Sequence, residues 1–297
     1  MEPVLVLNAQ AILGEGAIWN EKTRQLFWVD IEGKKLHCYH PDNRATCSIT
    51  VDDRIGTVVL SRGSQQKAIV AMQSGIYELD LTDESTTFLG NPLEGMEQMR
   101  FNDGKCDPAG RFWVGSMHLE SEPEVASLYR METDGSIVRV KDNLTISNGI
   151  IWSLDQQTMY HIDTPTLTVQ AYDYSFDTGD IANPRVVIRV PKEMGHPDGM
   201  TIDDEGMLWI ALFGGGGVAR WNPNTGQLLQ KIEIPAPHVT SCAFGGENLE
   251  TLYITTARHG LSDQQLTKYP HSGGVFAVKP GPRGIPSALF GSSTLSD

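Results

Sequence analysis

Short Gly-, Asn- and Asp-containing motifs recur along this chain at near-regular intervals, and each opens a group of strand-like segments. With Glu15, Gly56, Asn102, Asn148, Asp198 and Ser241 as markers, the spacings are 41, 46, 46, 50 and 43 residues. Within each interval, runs of four to seven residues rich in Val, Ile, Trp, Tyr, Phe and Thr alternate with Gly, Pro, Asn and Asp clusters, the pattern of strands joined by tight turns. The first interval reads as strands at 17–19, 26–30, 35–40 and 46–51, and the second as strands at 56–61, 68–73, 76–81 and 86–89. Repeats of 40 to 50 residues with four strands each are the signature of a β-propeller.

The last group, with strands at 241–244, 252–256 and 274–278, is one strand short, and an unclaimed strand lies at 4–8. The expected fold is therefore all-β: one domain over 1–297, a six-bladed β-propeller with four antiparallel strands per blade, its last blade closed by the N-terminal strand. Such closure removes an exposed sheet edge. Ser262 followed by Asp263-Gln264-Gln265 predicts a short helical start in the loop of the last group.

Composition excludes several partners. The chain carries 23 Lys and Arg against 37 Asp and Glu, a net charge of −14. Phosphate binding is dominated by Lys and Arg, so neither nucleic acid nor an anionic membrane is expected. Cys38, Cys47, Cys106 and Cys242 form no zinc-type pair; Cys38 and Cys47 could meet across a hairpin, but no disulfide framework is expected in a chain this long. No basic leader or bilayer-spanning apolar run is visible. The expectation is a cytoplasmic monomer or weak homo-oligomer.

In a propeller the first strand of each blade lines the central channel, so the group heads should converge on one mouth. There they bring Glu15, Asn102, Asn148, Asp198 and Arg100. Glu15, Asn148 and Asp198 offer oxygen ligands from three groups, with no Cys or His among them, as a hard divalent cation requires. Asn-Gly and Asp-Gly are also ordinary turn pairs; their recurrence in phase with the repeat is what favours a site. Arg100 cannot ligate a metal and reads as a donor to substrate oxygens, or as the ion-pair partner of Glu94 or Glu97. Asn102 can both donate and accept. Glu120 reads from pattern alone as a solvated loop carboxylate among Glu120, Glu122 and Glu124. No Gly-x-Ser-x-Gly elbow is present, and residues 214–217 are not a phosphate loop, because no Lys-Ser or Lys-Thr pair follows.

Taken in order, Leu13-Gly14-Glu15-Gly16 with Trp19, Arg100-Phe101-Asn102-Asp103-Gly104-Lys105, Ile146-Ser147-Asn148-Gly149, Pro197-Asp198-Gly199-Met200, Thr240-Ser241-Cys242-Ala243-Phe244-Gly245-Gly246 and Thr255-Thr256-Ala257-Arg258 resemble the senescence marker protein, gluconolactonase and luciferin-regenerating enzyme family over nearly the whole chain. The resemblance implies a propeller that holds one divalent cation and hydrolyses sugar lactones such as glucono-, xylono-, galactono- or arabinono-lactone to aldonic acids. It places metal ligands on Glu15, Asn148 and Asp198, substrate contacts on Arg100, Asn102 and Glu120, and the general base on Asp198. Ca²⁺ suits these donors, with Zn²⁺, Mg²⁺, Mn²⁺ and Fe²⁺ open. Water activation is open too, by proton loss to Asp198 or by delivery from the cation. Alternative functions are a cation-dependent phosphotriester hydrolase and a non-enzymatic calcium-binding propeller.

Overall fold

The structure, a computed structural model, describes residues 2–291. Four of its sheets are four-stranded antiparallel meanders. The first comprises Gly14–Asn20, Gln25–Asp30, Lys35–His40 and Ala45–Thr50. The second comprises Ile55–Leu60, Lys67–Met72, Gly75–Asp80 and Thr86–Gly90. The third runs Met99–Cys106, Phe112–His118, Ala126–Met131 and Ile137–Leu144, and the fourth Ser147–Trp152, Thr158–Asp163, Thr168–Tyr174 and Ile181–Arg189.

The remaining strands correct the expectation of six separate blades. They form one curled eight-stranded sheet rather than two sheets of four. Val4–Leu7 pairs with Val275–Val278, which continues through Thr251–Ala257 and His238–Gly245. From there the sheet passes to Leu208–Phe213, which also carries His196–Ile202 and, on its other side, Gly217–Asn222 and Gln227–Glu233. The join is the pairing of Phe213 with His238, whose rings stack with centroids 3.9 Å apart. The strand containing Ser241 starts three residues earlier than the apolar run suggests, at His238, and that extension reaches the neighbouring strand. The all-β class and the propeller arrangement stand, with four discrete blades plus this merged sheet.

Burial explains the sequence texture. The first strand of each meander packs against the first strands of its neighbours, closing a ring around a channel. Gly14–Asn20 and Ile55–Leu60 are buried at every residue, whereas the outermost strands Ala45–Thr50 and Thr86–Gly90 are mostly exposed. Strands covered on both faces read as continuous apolar runs, without the alternation of a half-solvated strand. Between sheets, Val59, Ile69 and Ile76 pack against Phe101, Phe112, Trp113 and Leu128. Full burial of each such side chain contributes about 1.5–3 kcal/mol.

Two buried carboxylates tie turns to the core. Asp107 Oδ2 accepts from Arg111 Nε at 2.7 Å, Trp113 Nε1 at 3.0 Å and the Tyr174 hydroxyl at 2.8 Å. Asp203 Oδ2 likewise accepts from Trp209 Nε1 at 2.9 Å and Arg220 Nε at 2.7 Å. Cys38 and Cys47 sit opposite each other on adjacent strands with Cα atoms 5.0 Å apart and are joined by a disulfide, contrary to the sequence expectation. The predicted helical start is present: Asp263–Lys268 is an α-helix with a capping box between Ser262 and Gln265. Among the described residues no helix is long and apolar enough to cross a membrane.

Candidate metal and substrate site at the channel mouth

Each inner strand is irregular at the same place. Register shifts fall between Glu15 and Ile18, Ile55 and Thr57, Phe101 and Gly104, Ser147 and Ile150, Pro197 and Met200, and Val239 and Ser241. A bulge adds a residue to one strand and re-aims the side chains beside it. Here Glu15, Asn102, Asn148 and Asp198 all lie in or beside the bulged positions. Gly16 takes φ +60°, a left-handed conformation open to glycine at little cost. Gly149 serves close approach instead: a Cβ there would lie 2.7 Å from the Asp198 carbonyl oxygen.

Carboxylates on the second strands fix the segments that lead into these bulges. Asp30 accepts from the backbone N–H groups of Ile12 and Leu13, both at 2.9 Å, just before Glu15. Asp163 accepts from Thr145 at 3.2 Å and Ile146 at 2.9 Å, just before Asn148. The same device in two meanders holds two site residues in equivalent positions.

Glu15, Asn148 and Asp198 are all buried. Asn148 and Glu15 neighbour Asp198 and favour its charged form. Burial pushes the Glu15 carboxyl well above the usual range, reinforced by the nearby charges of Asp198 and Asp103. Asp198 is raised by the same two causes, desolvation first and Asp103 second. Neighbouring buried carboxyls are stabilised by a positive charge between them, either a proton or a cation.

Asn148 supplies the decisive detail. Its Nδ2 donates to the Thr164 hydroxyl at 3.0 Å, and its buried Oδ1 has no hydrogen-bond partner among the described residues. Buried acceptors are rarely left unpaired. An amide oxygen without a donor, beside two carboxyls, fits the donor set of a hard cation. Among the described residues no three His, Cys, Asp or Glu side chains are grouped for a metal. The fit is thus that of two carboxylates and one amide, with further positions left to water or substrate.

Arg100 and Asn102 join this cluster. Arg100 is buried; its Nη1 donates to the Phe101 carbonyl at 2.9 Å and to Asn102 Oδ1 at 2.8 Å. Burial draws its guanidinium down to about 10, with Glu32 and Glu15 opposing the shift. Asn102 Nδ2 donates to the Ser147 carbonyl at 2.8 Å, so one amide hydrogen and one lone pair remain for a ligand. Glu32 pairs with Arg54 at 2.9 Å, and among the described residues Arg100 forms no salt bridge with Glu94 or Glu97.

Glu120 is not brought into the buried cluster. It is exposed on the loop after Phe112–His118, and its backbone N–H donates to His118 Nδ1 at 3.2 Å. Two residues outside the sequence-derived set do belong. Asp103 is buried, its carboxyl raised by desolvation, and it faces Glu15 and Asp198 electrostatically. Thr164, from the 3-10 turn Thr164–Thr166, holds Asn148 and donates to the Pro197 carbonyl at 2.8 Å. Asp103 stands beside Asn102 in the third motif and was visible there; Thr164 carries no motif signal of its own.

Fold and site together define a β-propeller with an acidic, amide-bearing channel mouth suited to a hard cation. The family model described as SMP-30/Gluconolactonase/LRE-like region matches residues 13–258, and the chain belongs to that family. It is 42% identical over 279 residues to a Bacillus subtilis (strain 168) protein named "Putative sugar lactone lactonase YvrE", covering 94% of this chain and 95% of that protein. Rabbit (Oryctolagus cuniculus) regucalcin is 39% identical over 287 residues, covering 95% of each chain. Among solved structures, luciferin-regenerating enzyme superposes with a TM-score of 0.91 at 32% identity, covering 97% of this chain and 99% of that one. A calcium-binding regucalcin from Agrobacterium tumefaciens str. C58 superposes with a TM-score of 0.93 at 25% identity, covering 98% and 97%.

Proposed function

We propose that this protein hydrolyses sugar lactones to the open aldonic acids, using a divalent cation held by Glu15, Asn148 and Asp198. The observation that carries the reading is the buried, partnerless Asn148 Oδ1 beside two carboxyls whose affinity for positive charge is raised. Membership of a family that includes a relative named as a sugar lactone lactonase supports the substrate class. Calcium suits the oxygen-only donors, and a structural neighbour is described as a calcium-binding protein.

A cation bound there would polarise the lactone carbonyl and offset the charge that develops on its oxygen. The chain's own groups supply the rest. The Asp198 carboxylate takes the proton of the attacking water as its oxygen bonds to the carbonyl carbon. The ring C–O bond then breaks, and the departing alkoxide takes back from Asp198 the proton lost by the water, becoming the hydroxyl of the acid and regenerating the carboxylate. Arg100 and the free valences of Asn102 orient ring hydroxyls, and Glu120 reaches the substrate only from the rim. Such positioning can remove several kcal/mol from a barrier.

The test is metal analysis of the purified protein followed by pH-stat assays on glucono-, galactono-, xylono- and arabinono-lactones, before and after chelation. Chelation should abolish turnover and calcium should restore it. Asp198→Asn should lose turnover and Glu15→Gln should lose cation affinity. Near-normal metal content and turnover in Asp198→Asn would overturn its assignment. A protein that binds calcium yet turns over none of the lactones would be a non-enzymatic calcium binder.

A further inference from the structure

The strands that present the candidate site at their leading ends finish at the other end of the channel, around a second cavity of about 500 Å³. Small-molecule pockets span roughly 300–1,000 Å³. Glu21 follows the strand Gly14–Asn20, Arg62 follows Ile55–Leu60, Lys105 lies near the end of Met99–Cys106, and Trp152 ends Ser147–Trp152; all four line the cavity. At about 3.3 Å per residue, the four steps from Asn148 to Trp152 separate the two regions by on the order of 13 Å.

One further wall is the chain segment 285–289, which is pinned on both sides. On one side Asp204 N–H donates to the Arg283 carbonyl and Gly284 N–H to the Leu249 carbonyl, each at 2.8 Å. On the other, Phe290 N–H donates to the Leu60 carbonyl at 2.8 Å and Arg62 N–H to the Phe290 carbonyl at 2.9 Å. The cavity is therefore formed before any ligand arrives.

Its chemistry runs against the rest of the molecule. The chain carries a net charge of −14, and Arg54, Arg111, Arg130 and Arg220 are each paired with a carboxylate. Among the described residues Arg62 and Lys105 form no salt bridge; burial draws the Lys105 ammonium down, and the charge of Asp103 opposes that shift. The Lys105 ammonium donates to the Met200 carbonyl at 3.0 Å, which leaves two of its three hydrogens for another acceptor. Glu21 contributes one opposing carboxylate, and burial raises it above the ordinary range. Trp152 adds a buried indole N–H with no acceptor, and Leu154 and Leu289 complete an apolar side.

We propose that this cavity is a second binding site, separate from the channel mouth, for a small organic carboxylate with an aromatic or short aliphatic body. The carboxylate lies between Arg62 and Lys105 and accepts charge-assisted hydrogen bonds from both. The body packs against Trp152, Leu154 and Leu289.

The full-length protein is titrated calorimetrically with benzoate, with benzyl alcohol as the uncharged match. Benzoate should bind saturably, and benzyl alcohol at least tenfold more weakly. Arg62→Gln, a change on an exposed residue, should weaken benzoate about three- to tenfold, and Lys105→Met should do so where it folds. Arg100→Ala, at the mouth, should leave benzoate affinity unchanged. Absence of saturable binding, equal affinity for benzyl alcohol, wild-type affinity in Arg62→Gln, or loss of binding in Arg100→Ala each overturns the proposal.

Discussion

The Thr164 hydroxyl decides which way the Asn148 amide faces. Its one hydrogen goes to the Pro197 carbonyl at 2.8 Å, an atom that can only accept, so toward Asn148 it must itself accept, and Nδ2 lies 3.0 Å away. The amide oxygen is thereby turned away from Thr164, and among the described residues it has no donor. Thr164→Val keeps the shape and removes the acceptor, which frees the amide to flip. Groups that orient a metal ligand are typically worth 10- to 100-fold in affinity. Calcium affinity of Thr164→Val should fall about 10- to 100-fold, and Thr164→Ser should recover most of it. If the Val variant binds calcium like wild type, Thr164 does not orient the ligand.

Cation affinity should depend on pH above the usual carboxylate range. Burial raises both carboxyls, with Asp198 and Asp103 adding to Glu15 and Asp103 adding to Asp198, so they retain protons that an ordinary carboxylate would have lost. A cation must displace those protons. Affinity should therefore rise with pH, and binding should release protons across the window between the ordinary carboxylate values and the raised ones. Calorimetry in two buffers of different ionisation enthalpy measures the release directly. Zero proton release throughout that window would contradict the raised carboxyls.

Arg100 and Glu120 should differ in weight. Arg100 is buried and anchored to Asn102, whereas Glu120 is exposed with an unengaged carboxylate. Hydrogen bonds to charged groups are worth about 1.5–3 kcal/mol, so Arg100→Ala should lower kcat/KM for a sugar lactone about 10- to 100-fold with calcium affinity retained. Glu120→Ala should cost less. Steady-state kinetics beside a calcium titration gives the comparison, and a larger loss in Glu120→Ala would mean that the rim loop carries the substrate.

Asp107 should be a stability residue with no role at the mouth. Its fully buried carboxylate serves Arg111, Trp113 and Tyr174 at once. Removing one partner of a buried ion pair leaves an uncompensated charge and costs about 3–5 kcal/mol. Asp107→Ala should show that loss in urea unfolding while the folded fraction keeps wild-type calcium affinity. A change within about 0.5 kcal/mol, typical of surface positions, would rule out the network as a stabilising element.

The repeat period was legible because every meander needs the same strand and turn chemistry, so Glu15, Asn148 and Asp198 could be placed at equivalent heads. The merging of the last two groups was not. It depends on Phe213 meeting His238 across the sheet, a pairing between strands that no local pattern encodes. Thr164 was hidden for a similar reason: it reaches Asn148 from a turn 16 residues later, through a hydrogen bond that exists only after folding. Glu120 shows the converse, since the family pattern marks it while its surroundings here leave it in solvent. The bulges at the mouth lay between, signalled by Gly16 and Gly149 but readable as ordinary turn residues.

His161 gives the protein an acid-sensitive core. It is fully buried, its Nε2 lies 2.8 Å from the Ser147 hydroxyl, and burial draws it down to about 3, with Lys141 adding to the shift. An unfolded chain protonates this ring near 6.5. Between those values the unfolded state binds one more proton than the folded state, so stability falls as pH falls. The slope attributable to this ring is at most about 1.4 kcal/mol per pH unit. Above the unfolded value the contribution is constant. His161→Gln removes the titration, so its stability deficit relative to wild type should narrow as pH drops from about 6.5 toward 5. Urea unfolding of both proteins at half-unit pH steps measures that gap, and a gap that stays constant would show that His161 titrates alike in the folded and unfolded chains.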